Sequence, residues 1–170
     1  MKYPKTPDGR HFIVNGRKWR STDPVIPESL RQQLVNVLMK ARADVGKAKR
    51  TEDAELEKEA RSRVHDAKIA LGERGPKWWE PYTEEDLRLR LRATILTLLR
   101  GRAAEKSICP SEAARCVGEG EAWRDLMPTV RNLAVDLAQK GVIKITRGAT
   151  RLDPGEPIKG AIRLRRGVAF

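Results

Sequence analysis

Cysteine and histidine are scarce in this chain, and acidic side chains are outnumbered by basic ones. Its 170 residues hold 23 Asp and Glu against 35 Lys and Arg, with only two Cys and two His. Cys109 and Cys116 stand in a sequence that reads as cytoplasmic, where thiols stay reduced, so no disulfide is expected. Two thiols and two distant histidines, His11 and His65, are too few for a zinc site, and no metal or cofactor is expected. No apolar run approaches the roughly 18 residues that a membrane-spanning helix needs. The polar start, Met1 to Arg10 with two prolines, lacks the apolar stretch of a secretory signal, hence the expectation of a cytoplasmic protein. Catalytic signatures are missing too: neither a Gly-X-Ser-X-Gly elbow nor a Walker-type phosphate loop occurs. Gly118-Glu119-Gly120 is a lone Gly-X-Gly and reads as a helix break. His65 reads as a helix-boundary residue with no nameable partner for acid–base work. Cys109 and Cys116 read as small buried residues. The acidic run Glu52 to Glu59 reads as a solvated helix face with i,i+4 partners such as Glu57 and Arg61. These absences predict a protein that is not an enzyme.

What the chain has in excess is positive charge, +12 net with a pI near 10.2. Residues 1–80 carry 18 basic and 12 acidic side chains, and residues 81–170 carry 17 and 11, so each half is +6 and the excess is no detachable tail. Such a balance selects nucleic acid, an anionic membrane surface or an acidic protein as partner class. The length suits one large domain or two small ones, and a 39% hydrophobic share is enough for a folded chain.

Asn15-Gly16 within Phe12 to Trp19 predicts a hairpin, because both central residues of a type I′ turn need positive φ. It pairs Val14 with Arg17 and Phe12 with Trp19, and must dock on something to be stable. Asp23-Pro24 and Pro27 lead into a helix with Leu30, Leu34, Val37, Leu38, Ala41 and Val45 at helical spacing. Gly46 to Thr51 reads as a basic connection. A second helix carries Leu56, Ala60, Val64, Ala67 and Leu71, stopped by Gly72. Gly72 to Trp79 closes this half, and Trp78 and Trp79 either pack on the hairpin and helices or form an aromatic platform for bases. Pro81-Tyr82 is the predicted boundary, giving a hairpin plus helical-hairpin domain over 1–82 and a second domain over 83–170.

Thr83 caps a helix with Leu87, Leu91, Ile95, Leu98 and Leu99 inward and Arg88, Arg90, Arg92 and Arg100 elsewhere on its surface. Ser107-Ile108-Cys109 reads as a minor strand, and Glu112 to Val117 as a short helix capped by Ser111. A longer helix runs from about Ala122 to Lys140, regular from Pro128, with Trp123 to Met127 as a separate turn. After Gly141 the period becomes two: a strand over 142–146, a turn-rich loop over 148–160 and a return strand over 161–165. The predicted class is mainly α with small β, and this last order is that of a winged helix-turn-helix.

Residues from about 94 to 166 also resemble an uncharacterised bacterial winged-helix family, a domain of unknown function. The likeness is carried by Ser107 to Arg115, by Trp123-Arg124-Asp125-Leu126-Met127 with Val130-Arg131, by Gly141 to Thr146 and by Lys159 to Leu164. Thr129 to Leu133 is similar to recognition helices of bacterial winged-helix regulators. The first half resembles small bacterial proteins ending in Gly-Glu-Arg-Gly-Pro-X-Trp-Trp, here Gly72 to Trp79. These resemblances imply a fold and a bacterial origin, and no reaction.

The expected function is binding of double-stranded DNA in the bacterial cytoplasm, in association with the nucleoid. Thr129, Arg131 and Asn132 sit in the first turns of the third helix of the second half, where Arg reads guanine and Asn adenine. Arg147 and Arg151 lie on the wing, and Arg163 and Arg165 extend the basic surface along the return strand. Asp125 and Asp136 oppose phosphate there. Two other readings stand beside this one: an RNA- or ribosome-associated protein using the helix pair and Trp78-Trp79, and a protein-interaction or dimerisation module.

Overall fold

In the computed structural model, which describes residues 3–170, Asn15 and Gly16 take φ of +50° and +75° and close a tight hairpin. Strand β1 (His11–Val14) pairs antiparallel with β2 (Arg17–Arg20) in the expected register, Val14 opposite Arg17 and Phe12 opposite Trp19. Helix α1 (Glu28–Arg50) and helix α2 (Ala54–Ala70) then pack against each other. The expected connection at Gly46 to Thr51 is instead the end of α1. Lys47, Lys49 and Arg50 occupy its last turn, where cations oppose the negative end of the helix dipole. The turn is left to Thr51 to Asp53, and Asp53 accepts the Leu56 N–H at 2.9 Å to start α2. At the far end Gly72, at φ +75°, donates to the Ile69 carbonyl, and Glu73 donates to that of Lys68, which satisfies the last carbonyls of α2.

Helix α3 (Glu84–Gly101) opens with a reciprocal cap between Thr83 and Asp86. From Arg90 to Leu99 only Arg92 is exposed. This helix is wrapped on all sides because α1 and α2 pack on one side and α5 on another. Arg90 therefore does not lie on the surface as its position outside the apolar stripe suggests. It is fully buried, and its guanidinium meets Asp23 at 2.7 Å, the Tyr82 hydroxyl and the Cys116 carbonyl. Asp23 also accepts the Val25 N–H, and its own N–H donates to the Leu71 carbonyl. One buried ion pair thus joins the segment before α1, the end of α2, the middle of α3 and the end of α4.

Helix α4 (Pro110–Arg115) is six residues long. Its cap is Cys109 rather than Ser111, because Pro110 takes the first helical position and the Glu112 carboxylate accepts the Cys109 N–H at 2.7 Å. A close turn follows: a Cβ on Gly118 would lie 2.5 Å from the Trp123 nitrogen, so this position admits only glycine without a shift. A 3-10 turn (Ala122–Leu126) runs directly into helix α5 (Met127–Gln139), whose buried side is Val130, Leu133, Ala134, Leu137 and Ala138.

Strand β3 (Ile143–Arg147) is central in a three-stranded antiparallel sheet, between the two-residue β4 (Thr150–Arg151) and β5 (Arg163–Arg166). Ile108 adds an antiparallel bridge to Leu164 on the outer edge of β5. Ile143, Ile145 and Leu164 turn inward and join a hydrophobic cluster that runs continuously from Ile26 and Leu34 through α3 to the sheet. The chain is mainly helical, with a hairpin before the helices and a small sheet after them. No helix among the described residues is long and apolar enough to cross a membrane.

Candidate functional site

The residues expected to bind nucleic acid divide into two groups. The first surrounds α5. Arg131 Nη1 donates to the Gly160 carbonyl at 3.1 Å and Nη2 to the Ile158 carbonyl at 3.0 Å. Arg147 donates to the Lys159 and Ala161 carbonyls, and Gln139 reaches the Pro154 carbonyl at 3.4 Å. These side chains hold the loop between β4 and β5 against α5. Asn132 is exposed and Thr129 half-buried. Asn132 borders a hollow of about 480 Å³ between helix and loop, lined largely by apolar groups such as Met127, Val135, Pro157 and Ile158. The loop itself carries Asp153 and Glu156.

The second group lies on the outer face of the sheet. Strand alternation turns Ile143 and Ile145 to the core and places Lys144 and Thr146 on the opposite face, where Lys144 is exposed and Thr146 is covered. Lys144 pairs across with Arg165, and Thr146 lies between Arg151 on β4 and Arg163 on β5. Five residues of three strands thus share one face, and four are cations. A groove of about 440 Å³ runs along it, bordered by Lys144, Thr146, Arg151, Arg165 and Arg166 with small residues between, and none of its lining residues is acidic. Arg165 is braced by the Thr146 hydroxyl at 3.3 Å and by the Glu105 carbonyl, and Arg163 by Ser107. Lys144 and Arg151 are exposed, and neither side chain makes a hydrogen bond or ion pair among the described residues. Lys144 is the residue that a count of charges along the strand misses; its period-two partner relation to Ile143 and Ile145 is the signal that finds it.

Arg166, next along β5, faces the other way and caps α3: it donates to the Leu99, Arg100 and Arg102 carbonyls at 2.7–3.4 Å. Of the other arginines of α3, Arg92 is exposed, whereas Arg88 and Arg100 are engaged, as is Arg102 beyond the helix. Arg88 pairs with Asp136 of α5, Arg100 with Asp66 of α2 at 2.6 Å, and Arg102, just past the helix, with Glu112 of α4 and Gln33 of α1. Burial pushes the Glu112 carboxyl up, but hydrogen bonds from Arg102 and the Cys109 N–H, with the Arg102 charge, outweigh it and hold it below the usual range. Burial pushes the Cys116 thiol up to about 12, so this thiol is inert at neutral pH.

Trp78 and Trp79 are seated on the hairpin. The Trp78 indole donates to the Ser21 carbonyl at 3.1 Å and meets Trp79 edge to face. Trp79 also meets the His11 ring, with the Arg10 and Arg20 guanidinium groups 5.1 and 5.5 Å from its centre. Arg20 in turn donates to the Gly75 carbonyl at 2.8 Å, which ties the Gly-Glu-Arg-Gly-Pro-X-Trp-Trp element to β2. Arg74 Nη1 donates to His65 Nδ1 at 3.1 Å. Among the described residues no three His, Cys, Asp or Glu side chains converge as metal ligands.

No curated protein matches the chain. The second half, from Arg88 in α3 to Gly167 just past β5, matches the family model described as "Protein of unknown function (DUF3253)" and so carries a domain of that family.

Proposed function

We propose that this protein is a non-catalytic nucleic-acid-binding protein of the bacterial cytoplasm, whose second half is a winged helix holding double-stranded DNA. The observation that carries this reading is the outer sheet face, where Lys144, Arg151, Arg163 and Arg165 stand together and the groove beside them has no acidic lining residue. Cations left without carboxylates attract a polyanion, and phosphate contacts release its condensed counterions. The element order in support is helix, bridged strand, helix, helix, strand, loop, strand, the connectivity of winged-helix DNA binders. Residues 141–170 concentrate the charge, with seven basic side chains and two acidic.

Fluorescence anisotropy of a labelled random-sequence duplex, titrated across a salt series beside a matched RNA, tests the reading. With three to four phosphates neutralised, the logarithm of the binding constant falls against log salt with a slope of about −3. An intact chain that leaves the duplex unbound near physiological salt retires the proposal, and tighter binding of the RNA assigns the basic face to RNA instead.

A further inference from the structure

We infer that α5 does not read bases, and that the chain holds duplex DNA by its phosphate backbone alone, along the outer sheet face and independently of sequence. This rests on the nucleic-acid reading above and gives that reading its mode.

Base readout needs a helix whose polar side chains are free to reach base edges in the major groove. Helix α5 offers little for that: the exposed amide of Asn132 borders the largely apolar hollow beside the loop. It carries one cation, Arg131, and one carboxylate, Asp136. Arg131 is the side chain suited to guanine, yet both terminal nitrogens of its fork already donate to loop carbonyls. Arg147 and Gln139 hold the same loop from two other directions. A duplex seated on this flank would meet Asp153 and Glu156 of the loop, and an apolar hollow behind them.

The start of α5 is equally closed to phosphate. A free helix N-terminus offers open N–H groups. Here the 3-10 turn runs straight into the helix, so the Met127 N–H already donates to the Arg124 carbonyl, and Pro128 has no N–H to give.

The sheet face has the opposite properties. Alternate residues on one strand stand about 6.8 Å apart and neighbouring strands about 4.8 Å, so Lys144, Arg151, Arg163 and Arg165 form one dense patch. It holds no base-reading amide, only point charges and guanidinium forks suited to phosphate. Contacts of this kind position a protein on DNA without carrying sequence information.

The test uses the full chain, with AT-rich, GC-rich and mixed duplexes of equal length in the anisotropy assay. Two variants accompany it, each checked for folding by circular dichroism: Lys144→Gln with Arg151→Gln, which breaks no internal hydrogen bond, and Thr129→Ala with Asn132→Ala. One good base contact discriminates by roughly 5- to 150-fold, so backbone binding leaves the three duplexes within about threefold of one another. The sheet variant weakens all three alike and flattens the salt slope by about two, while the α5 variant binds as the parent does. A duplex preferred by roughly tenfold or more, with the preference lost in the α5 variant, overturns the inference and leaves the nucleic-acid reading standing. Unchanged binding by the sheet variant also overturns it. An intact chain that binds no duplex overturns both.

Discussion

Helix α3 and the outer sheet face carry the same residue types and use them in opposite ways. Along α3 and just past it, Arg88, Arg90, Arg100 and Arg102 each meet a carboxylate from another element: Asp136, Asp23, Asp66 and Glu112. On the sheet, Lys144 and Arg151 meet none. The lesson is that a net charge of +12 does not measure a binding surface. Cations paired across the core hold elements together and present little field to a partner, whereas a few unpaired cations on one face focus it. The two halves of the chain have equal net charge, so charge per half does not single out the sheet face; the local excess over residues 141–170 and the lack of carboxylate partners do.

The comparison breaks most severely at Arg90. Removing it leaves the Asp23 carboxylate, 2% exposed, without its partner, so Arg90→Met costs about 3–5 kcal/mol in urea denaturation. Adding Asp23→Asn to that variant returns part of the loss, because the stranded charge is gone; a double variant no more stable than the single one would show that the pair is not the source of the cost.

Glu112 sharpens the contrast at an intermediate size. Its carboxyl is held below its ordinary value of 4.5, so the stability it contributes is full above that pH and is lost as pH falls through the lower folded value. Glu112→Gln therefore costs about 1–2 kcal/mol at pH 7, and the gap between variant and parent closes on acidification below pH 4.5. A gap of constant size from neutral to acid pH would remove the Arg102 and Cys109 contacts as its cause.

The smallest effect belongs to the sheet. Lys144→Gln with Arg151→Gln leaves the unfolding midpoint unchanged, within about 0.5 kcal/mol, because neither side chain has an internal partner to lose. A marked destabilisation would make these cations part of the fold, like those of α3.

Much of the local structure was legible residue by residue. Asn15-Gly16 specified its turn and register, Thr83 and Asp86 their cap, and the change of period after Gly141 the passage from helix to strand, since each signal acts within a few residues. Errors fell where a distant element overrides a local preference. Gly46 reads as a break but stays helical near the end of a packed helix. Arg90 reads as a surface charge but is enclosed once the segment before α1 and the end of α4 arrive with Asp23 and Cys116. In the candidate site, alternation alone shows that Lys144 faces away from Ile143 and Ile145. That Arg131 and Arg147 are engaged with loop carbonyls could not be read, because those partners lie 12 to 29 residues away in sequence.

The elements, the excess of positive charge and the apolar residues of each element follow from short-range properties: propensity, capping and local periodicity. Which cations are left free depends on how the elements pack. Pairing depends on whether a carboxylate or carbonyl from a remote segment comes within hydrogen-bond reach, and that is set by how the hydrophobic faces pack, not by the neighbours along the chain.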